Sequence, residues 1–93
     1  DLRNQSKTFG HWVGRKLSET NREMMYVPSG FAHGFISLTD DSEIMYFSSN
    51  FYNYDYERSL HYADKEVGIN WPIDVVYVSD KDKISSNISA FKR

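Results

Sequence analysis

The sequence contains 93 residues with a formal net charge of -2, no cysteine and 16% aromatic residues. This length allows one small domain, and the lack of cysteine excludes a disulfide framework, a thiolate metal site and a thiol nucleophile. Because charged residues of both signs are present, the composition shows no excess of basic residues for binding nucleic acid. No apolar run reaches the roughly 18 residues of a membrane span. We therefore expect a cytoplasmic protein whose partner is a small molecule or another protein.

The first part of the chain alternates as β-strands do, with turn signals between the alternating segments. Phe9–Leu17 and Met24–Val27 are predicted as the first two strands, separated by a turn at Ser18–Asn21. The next turn is Pro28-Ser29-Gly30, where proline fixes φ and glycine supplies a permissive backbone. Phe31–Leu38 follows as the third strand.

His33 lies on this third strand, and its side chain shares one face with Phe31 and Phe35. A histidine directly after a Pro-x-Gly turn has the spacing of the second motif of cupin barrels. In metal-binding cupins that histidine is a ligand, and its companions include a His-x-His pair that this sequence lacks. A metal site at His33 is therefore the weaker alternative, and a pocket residue is the preferred interpretation.

The second part of the chain continues the same pattern. Thr39–Ser42 is a hairpin connection to a fourth strand at Glu43–Ser48, and Asn50–Glu57 is an aromatic and polar loop. Two further short strands are predicted, at Ser59–Tyr62 and Val75–Val78.

Ser79 follows the last strand as the candidate N-cap of a turn or a short helix. About six short strands are fewer than the eight of a jelly roll, and the chain begins at Asp1 rather than at methionine. We therefore predict an all-β, cupin-type jelly-roll barrel that is incomplete because its N-terminal strands are absent. Residues 1–93 would form the C-terminal portion of one domain, without a second domain.

Several short motifs occur in a fixed order along the chain. They include Asp1-Leu2-Arg3, Ser6-Lys7-Thr8-Phe9-Gly10, Trp12-Val13-Gly14, the stretch from Val27 to Phe35, Glu43-Ile44-Met45-Tyr46, Gly68-Ile69-Asn70-Trp71-Pro72 and Ser79-Asp80-Lys81-Asp82. Each motif alone has little specificity, but their order and spacing resemble the C-terminal half of the dTDP-4-dehydrorhamnose 3,5-epimerase family, whose fold is the cupin barrel.

The resemblance implies an isomerase of rhamnose biosynthesis that inverts the carbons flanking the ketone of a nucleotide-linked 4-keto-6-deoxyhexose. It removes a proton on one face and returns one on the other, without a metal or another cofactor. Tyr46 would be the general acid, and Asp82 would orient the histidine base. That histidine and a lysine near the enolate lie upstream of Asp1 in the family, so these 93 residues alone are expected to be inactive.

The resemblance also implies substrate contacts by His33, Tyr52 and Glu57, and a homodimer for the complete protein. Two departures from the family pattern, Phe51 in place of a tyrosine and His61-Tyr62-Ala63-Asp64 in place of Trp-Asn-Asp, lie near the sugar and nucleotide. Three alternatives therefore stay open: a single-carbon epimerase, a non-catalytic sugar-binding cupin and a metal-dependent cupin oxygenase.

Overall fold

The computed structural model describes residues 1–92, in which turns and irregular segments predominate. The regular elements are 3₁₀ helices at Tyr54–Tyr56 and Ile88–Phe91, with helix α1 at Asp80–Lys83 between them. The Ser79 hydroxyl caps α1, because its oxygen accepts a hydrogen bond from the Asp82 N–H at 3.2 Å. The predicted N-cap is therefore confirmed, and it satisfies a helix donor that has no partner within the helix.

The turns predicted at Ser18–Asn21 and Pro28–Gly30 are also present, each closed by a short-range hydrogen bond. Thr39–Ser42, predicted as a hairpin connection, also forms a turn, but the segments on either side of it do not pair in residues 1–92. Gly30 has a φ of 87°, in the left-handed region that glycine adopts without a steric penalty. These turns need nothing beyond their own residues, which explains why local sequence signals predict them.

A group of side chains at the start of the chain packs on the Pro28–Gly30 turn. The Asp1 carboxylate accepts hydrogen bonds from the side chains of Arg3, Ser6 and Thr8 at distances of 2.6 to 2.9 Å. The Leu2 N–H donates to the Gly30 carbonyl at 3.0 Å. The Arg3 guanidinium also lies over the Phe31 ring, 4.7 Å from its centroid. Arg3 thereby covers the turn that precedes His33.

Replacing Gly30 by alanine is expected to destabilise the complete protein by about 1–2 kcal/mol, the cost of left-handed backbone for a non-glycine residue. The added Cβ would also lie 2.6 Å from the Arg3 Cγ, so the arginine side chain would have to shift. Denaturant unfolding measures this change. Gly34→Ala is the matched control, because a Cβ at that position has no atom within 4 Å. Equal unfolding free energies for the two variants would contradict the expectation.

The last part of the chain is better packed than the rest. Leu60 and Ser86 form a parallel bridge, and the His61 N–H donates to the Ser86 carbonyl at 2.7 Å. Ile88 and Phe91, on the second 3₁₀ helix, are buried, with only 1% and 8% of their surface exposed. This apolar pair is the core that holds the C-terminal segment in place.

Asp64 is a buried carboxylate within the same packed part. Its Oδ1 accepts from the N–H groups of Glu66 and Val67 at 2.8 and 3.0 Å, and its Oδ2 accepts from the Ile88 N–H at 2.7 Å. These hydrogen bonds, the one from Ile88 first, hold the pKa of Asp64 below that of an ordinary aspartate. The carboxylate is therefore ionised at neutral pH and links its own turn to the second 3₁₀ helix.

The segments predicted as strands form no ladder with one another in residues 1–92, where β-pairing is confined to the Leu60–Ser86 bridge. Their apolar side chains are exposed, for example Met24 at 87%, Phe47 at 84% and Val76 at 93%. A strand needs a paired neighbour and a covered apolar face to be stable, so the jelly-roll barrel stays a prediction. The longest helix found in the described residues has four residues, too few to cross a bilayer.

Candidate functional site

The first 3₁₀ helix brings together two residues predicted to contact substrate. Asn53 caps this helix, since its side-chain oxygen accepts from the Asp55 N–H at 3.0 Å. At the other end, the Glu57 N–H donates to the Tyr54 carbonyl at 3.1 Å. The chain therefore reverses over residues 53–57, and the side chains of Tyr52 and Glu57 meet on one side of the reversal.

The Tyr52 hydroxyl donates a hydrogen bond to Glu57 Oε2 at 2.7 Å, and Glu57 Oε1 forms an ion pair with Lys81. The Glu57 side chain is only 21% exposed, whereas that of Lys81 is 59% exposed. We call these three residues the Tyr52–Glu57–Lys81 cluster. Both carboxylate oxygens have a partner, which fixes the orientation of the carboxylate between a phenol and a cation.

Lys81 connects the cluster to the segment that carries Asp82. Both residues lie on α1, and the Asp82 N–H is held by the Ser79 cap. Asp82 itself is exposed, and its role in orienting a histidine base stays a prediction. Glu57, a predicted substrate contact, thus pairs with Lys81, and Lys81 directly precedes Asp82, the predicted orienting aspartate.

Sequence reasoning assigned no role to Lys81. Its one available signal is its position between Asp80 and Asp82 in the motif Ser79-Asp80-Lys81-Asp82. The ion pair with Glu57 joins residues distant in the chain, and such pairs cannot be derived from local periodicity.

A shallow depression of about 630 Å³ lies beside the cluster and is lined by Asn50, Phe51, Tyr52, Asn53 and Glu57. The Phe51 ring is fully exposed at its rim. An aromatic face next to amide, phenol and carboxylate groups suits a ligand that combines a flat or apolar face with hydroxyl groups, as sugars and nucleosides do.

Tyr46 and His33 are two further predicted site residues. The Tyr46 side chain is 78% exposed, and His33 is exposed two residues after the ring covered by Arg3. Neither hydrogen-bonds to Tyr52, Glu57 or Lys81 in the part of the chain that the structure describes. Their proposed roles therefore stay predictions. In residues 1–92, no three His, Asp or Glu side chains gather as metal ligands.

Comparison with known proteins gives consistent matches. A family model described as dTDP-4-dehydrorhamnose 3,5-epimerase matches residues 1–90. A protein of that description from Shigella flexneri is 45% identical over 82 residues, covering 88% of this chain and 45% of the relative. One from Pseudomonas aeruginosa is 43% identical over 84 residues, covering 89% and 46%.

A Streptomyces niveus protein described as dTDP-4-dehydrorhamnose 3-epimerase is 35% identical over 83 residues, covering 89% of this chain and 40% of the relative. The chain therefore spans about half the length, or less, of the curated relatives it matches. No solved structure matches.

Proposed function

The chain belongs to the dTDP-4-dehydrorhamnose 3,5-epimerase family, and from this premise we propose that the complete protein is an isomerase that epimerises C3 and C5 of a dTDP-linked 4-keto-6-deoxyhexose. The observation that carries the proposal is the family match, which extends over residues 1–90. The reaction would be a step of rhamnose biosynthesis. The substrate's own ketone acidifies both neighbouring C–H bonds, so the proposed chemistry uses neither a metal nor a redox cofactor.

In this proposal each inversion needs a base on one face of the sugar and an acid on the other. Tyr46 is the acid that returns a proton to carbon. Asp82 accepts the imidazole N–H of a histidine base and stabilises the imidazolium after proton abstraction. By analogy with the family, that histidine and a lysine near the enolate oxygen belong to the half of the relatives that this chain does not span.

The Tyr52–Glu57–Lys81 cluster is proposed as part of the substrate site, together with His33. The Glu57 carboxylate can accept a hydroxyl hydrogen bond from the substrate, and Tyr52 can cover a ring face. The observation that supports this assignment is the hydrogen bond between Tyr52 and Glu57, which joins two residues that the resemblance independently suggests for substrate contact.

We also propose that the predicted strands pair in a cupin jelly roll in the complete protein, and that the protein is a homodimer. The exposed apolar side chains of Met24, Phe47 and Val76 support the pairing, because a barrel interior and a second layer would cover them. A single-carbon epimerase is the second candidate, favoured by the likeness to the Streptomyces niveus 3-epimerase.

Deuterium uptake tests both candidates. The complete protein, incubated in D₂O with the dTDP-linked 4-keto-6-deoxyhexose, is expected to introduce deuterium at C3 and at C5, as seen by proton NMR. Exchange at C3 alone would favour the single-carbon epimerase. Exchange at neither carbon above the rate without protein would refute both.

A further inference from the structure

A continuous set of hydrogen bonds connects the Tyr52–Glu57–Lys81 cluster to the packed C-terminal part. The Ser85 hydroxyl donates to the Lys81 carbonyl at 3.1 Å, and the Ser59 and Ser85 hydroxyl oxygens lie 2.8 Å apart. The Ser86 N–H donates to the Ser59 carbonyl at 3.2 Å. Residues 57–61, which begin with Glu57, are therefore held against residues 81–86, which begin with Lys81.

Asp64 contributes two further hydrogen bonds to this set, at its end away from the cluster. Its N–H donates to the His61 carbonyl at 3.2 Å, and its carboxylate accepts from the Ile88 N–H, 24 residues further along the chain. Ile88 is 1% exposed, so water cannot easily replace the carboxylate as the acceptor. A hydrogen bond from a buried amide to a charged oxygen is stronger than one between two neutral groups.

The register of the two segments decides which side chain faces Lys81. A shift of residues 57–61 by one position would put Arg58 in the place of Glu57, beside the Lys81 cation. Neighbouring cations repel, and the ion pair between Glu57 and Lys81 would be lost. The correct register is thus a condition for the cluster to exist.

We propose that Asp64 is a positioning residue of the substrate site: by holding the Ile88 amide it fixes the register of residues 57–61 against 81–86, and so sets the contact between Glu57 and Lys81. The expected effect of Asp64 on substrate binding rests on the function proposed above, whereas its effect on the Glu57–Lys81 contact does not. Asp64 acts through Glu57 and touches no substrate.

Asp64→Asn removes the long-range hydrogen bond from Ile88 and keeps the hydrogen bonds of the local turn. The asparagine oxygen can still accept from the Glu66 and Val67 amides. Its NH₂ group then faces the Ile88 N–H, so two donors meet and the link to the second 3₁₀ helix is lost. A flipped amide would keep the one hydrogen bond from Ile88 but lose the two of the turn, so the orientation that loses the Ile88 link is favoured.

A zero-length carbodiimide cross-link measures the Glu57–Lys81 contact directly. The reagent joins a carboxylate to an amine in contact with it, and mass spectrometry quantifies the linked peptide. In the complete protein, Asp64→Asn is expected to lower the yield about tenfold to a hundredfold, the scale of one lost hydrogen bond to a charged group. Asp64→Glu keeps the charge and is expected to lose about twofold to threefold, a smaller part of the same hydrogen-bond energy.

Asn21→Ala is the matched control. Asn21 also accepts from two backbone amides, those of Ser18 and Glu23, but its side-chain hydrogen bonds stay within residues 16–23. Its cross-link yield should equal that of the unmodified protein. If Asp64→Asn does not fold, as judged by tryptophan fluorescence, the result is taken from Asp64→Glu. An unchanged yield in the folded Asp64 variants overturns the proposal.

Steady-state kinetics distinguish a positioning role of Asp64 from a general loss of stability. Asp64→Asn is expected to raise KM about tenfold, for the same lost hydrogen bond, and to change kcat less than about twofold. In a Glu57→Gln background the Asp64 substitution should have little further effect, because both residues act through one contact. Additive effects would overturn the proposal. An unmodified protein without activity would refute the proposed function instead, and the cross-link would still decide the register.

Discussion

Tyr46→Phe in the complete protein is expected to lower epimerase turnover by about 10²- to 10⁴-fold, the usual contribution of a positioned general acid. Phenylalanine keeps the ring but removes the proton that tyrosine would return to the substrate carbon. Binding of the dTDP-linked sugar should change little, because the ring can pack on the substrate as before. Turnover is measured by product formation, and binding by calorimetry with a dTDP-sugar that cannot react.

The matched control for this experiment is Tyr77→Phe. Tyr77 is exposed to a similar extent, 89% against 78% for Tyr46, and no catalytic role is proposed for it. Its substitution should leave both turnover and binding unchanged. Unchanged turnover in Tyr46→Phe would remove Tyr46 as the acid, and a parallel loss of binding would indicate a substrate contact rather than proton transfer.

Asp82→Asn is expected to lower turnover by about 10³- to 10⁴-fold, the scale seen when an aspartate that orients a catalytic histidine loses its charge. The asparagine amide can present an N–H where the carboxylate presented an acceptor. The histidine base would then hold the wrong tautomer, and its imidazolium would lose a counter-charge. The pH–rate profile should shift with the variant, since the base becomes a weaker proton acceptor.

Asp80→Asn provides the matched control within the same helix. Both aspartates lie in the first turn of α1, where negative charge interacts favourably with the helix N-terminus. Asp80 is fully exposed and lies 3.8 Å from the Lys83 ammonium, an ion pair of little energetic weight. Equal losses in the two variants would assign the effect to the helix charge and contradict the orienting role.

Two contacts fix the segment that carries Asp82. Its ammonium pairs with Glu57, which accepts from Tyr52, so the residue before Asp82 is held on one side of α1 by a side-chain contact. The Ser79 cap holds the Asp82 N–H at the beginning of the same helix. Asp82 therefore lies on a segment fixed at two points, which a residue that orients a base requires.

The family, the turns and the helix cap could all be derived from the sequence. The motifs from Asp1 to Asp82 indicated the family, which the match over residues 1–90 confirms. The Pro28–Gly30 turn and the Ser79 cap were predicted correctly because each depends on a few neighbouring residues. Tyr52 and Glu57 were named together for substrate contact, and the structure joins them by a hydrogen bond.

Only the tertiary structure decided which distant residues meet. Lys81 and Asp64 received no role from sequence, although one pairs with Glu57 and the other holds the Ile88 amide. Each contact depends on the path of the whole segment between its partners, and no periodicity or spacing records that path. Local backbone preferences therefore determined the turns and the cap of this protein, while burial and long-range hydrogen bonding determined how its candidate site is assembled.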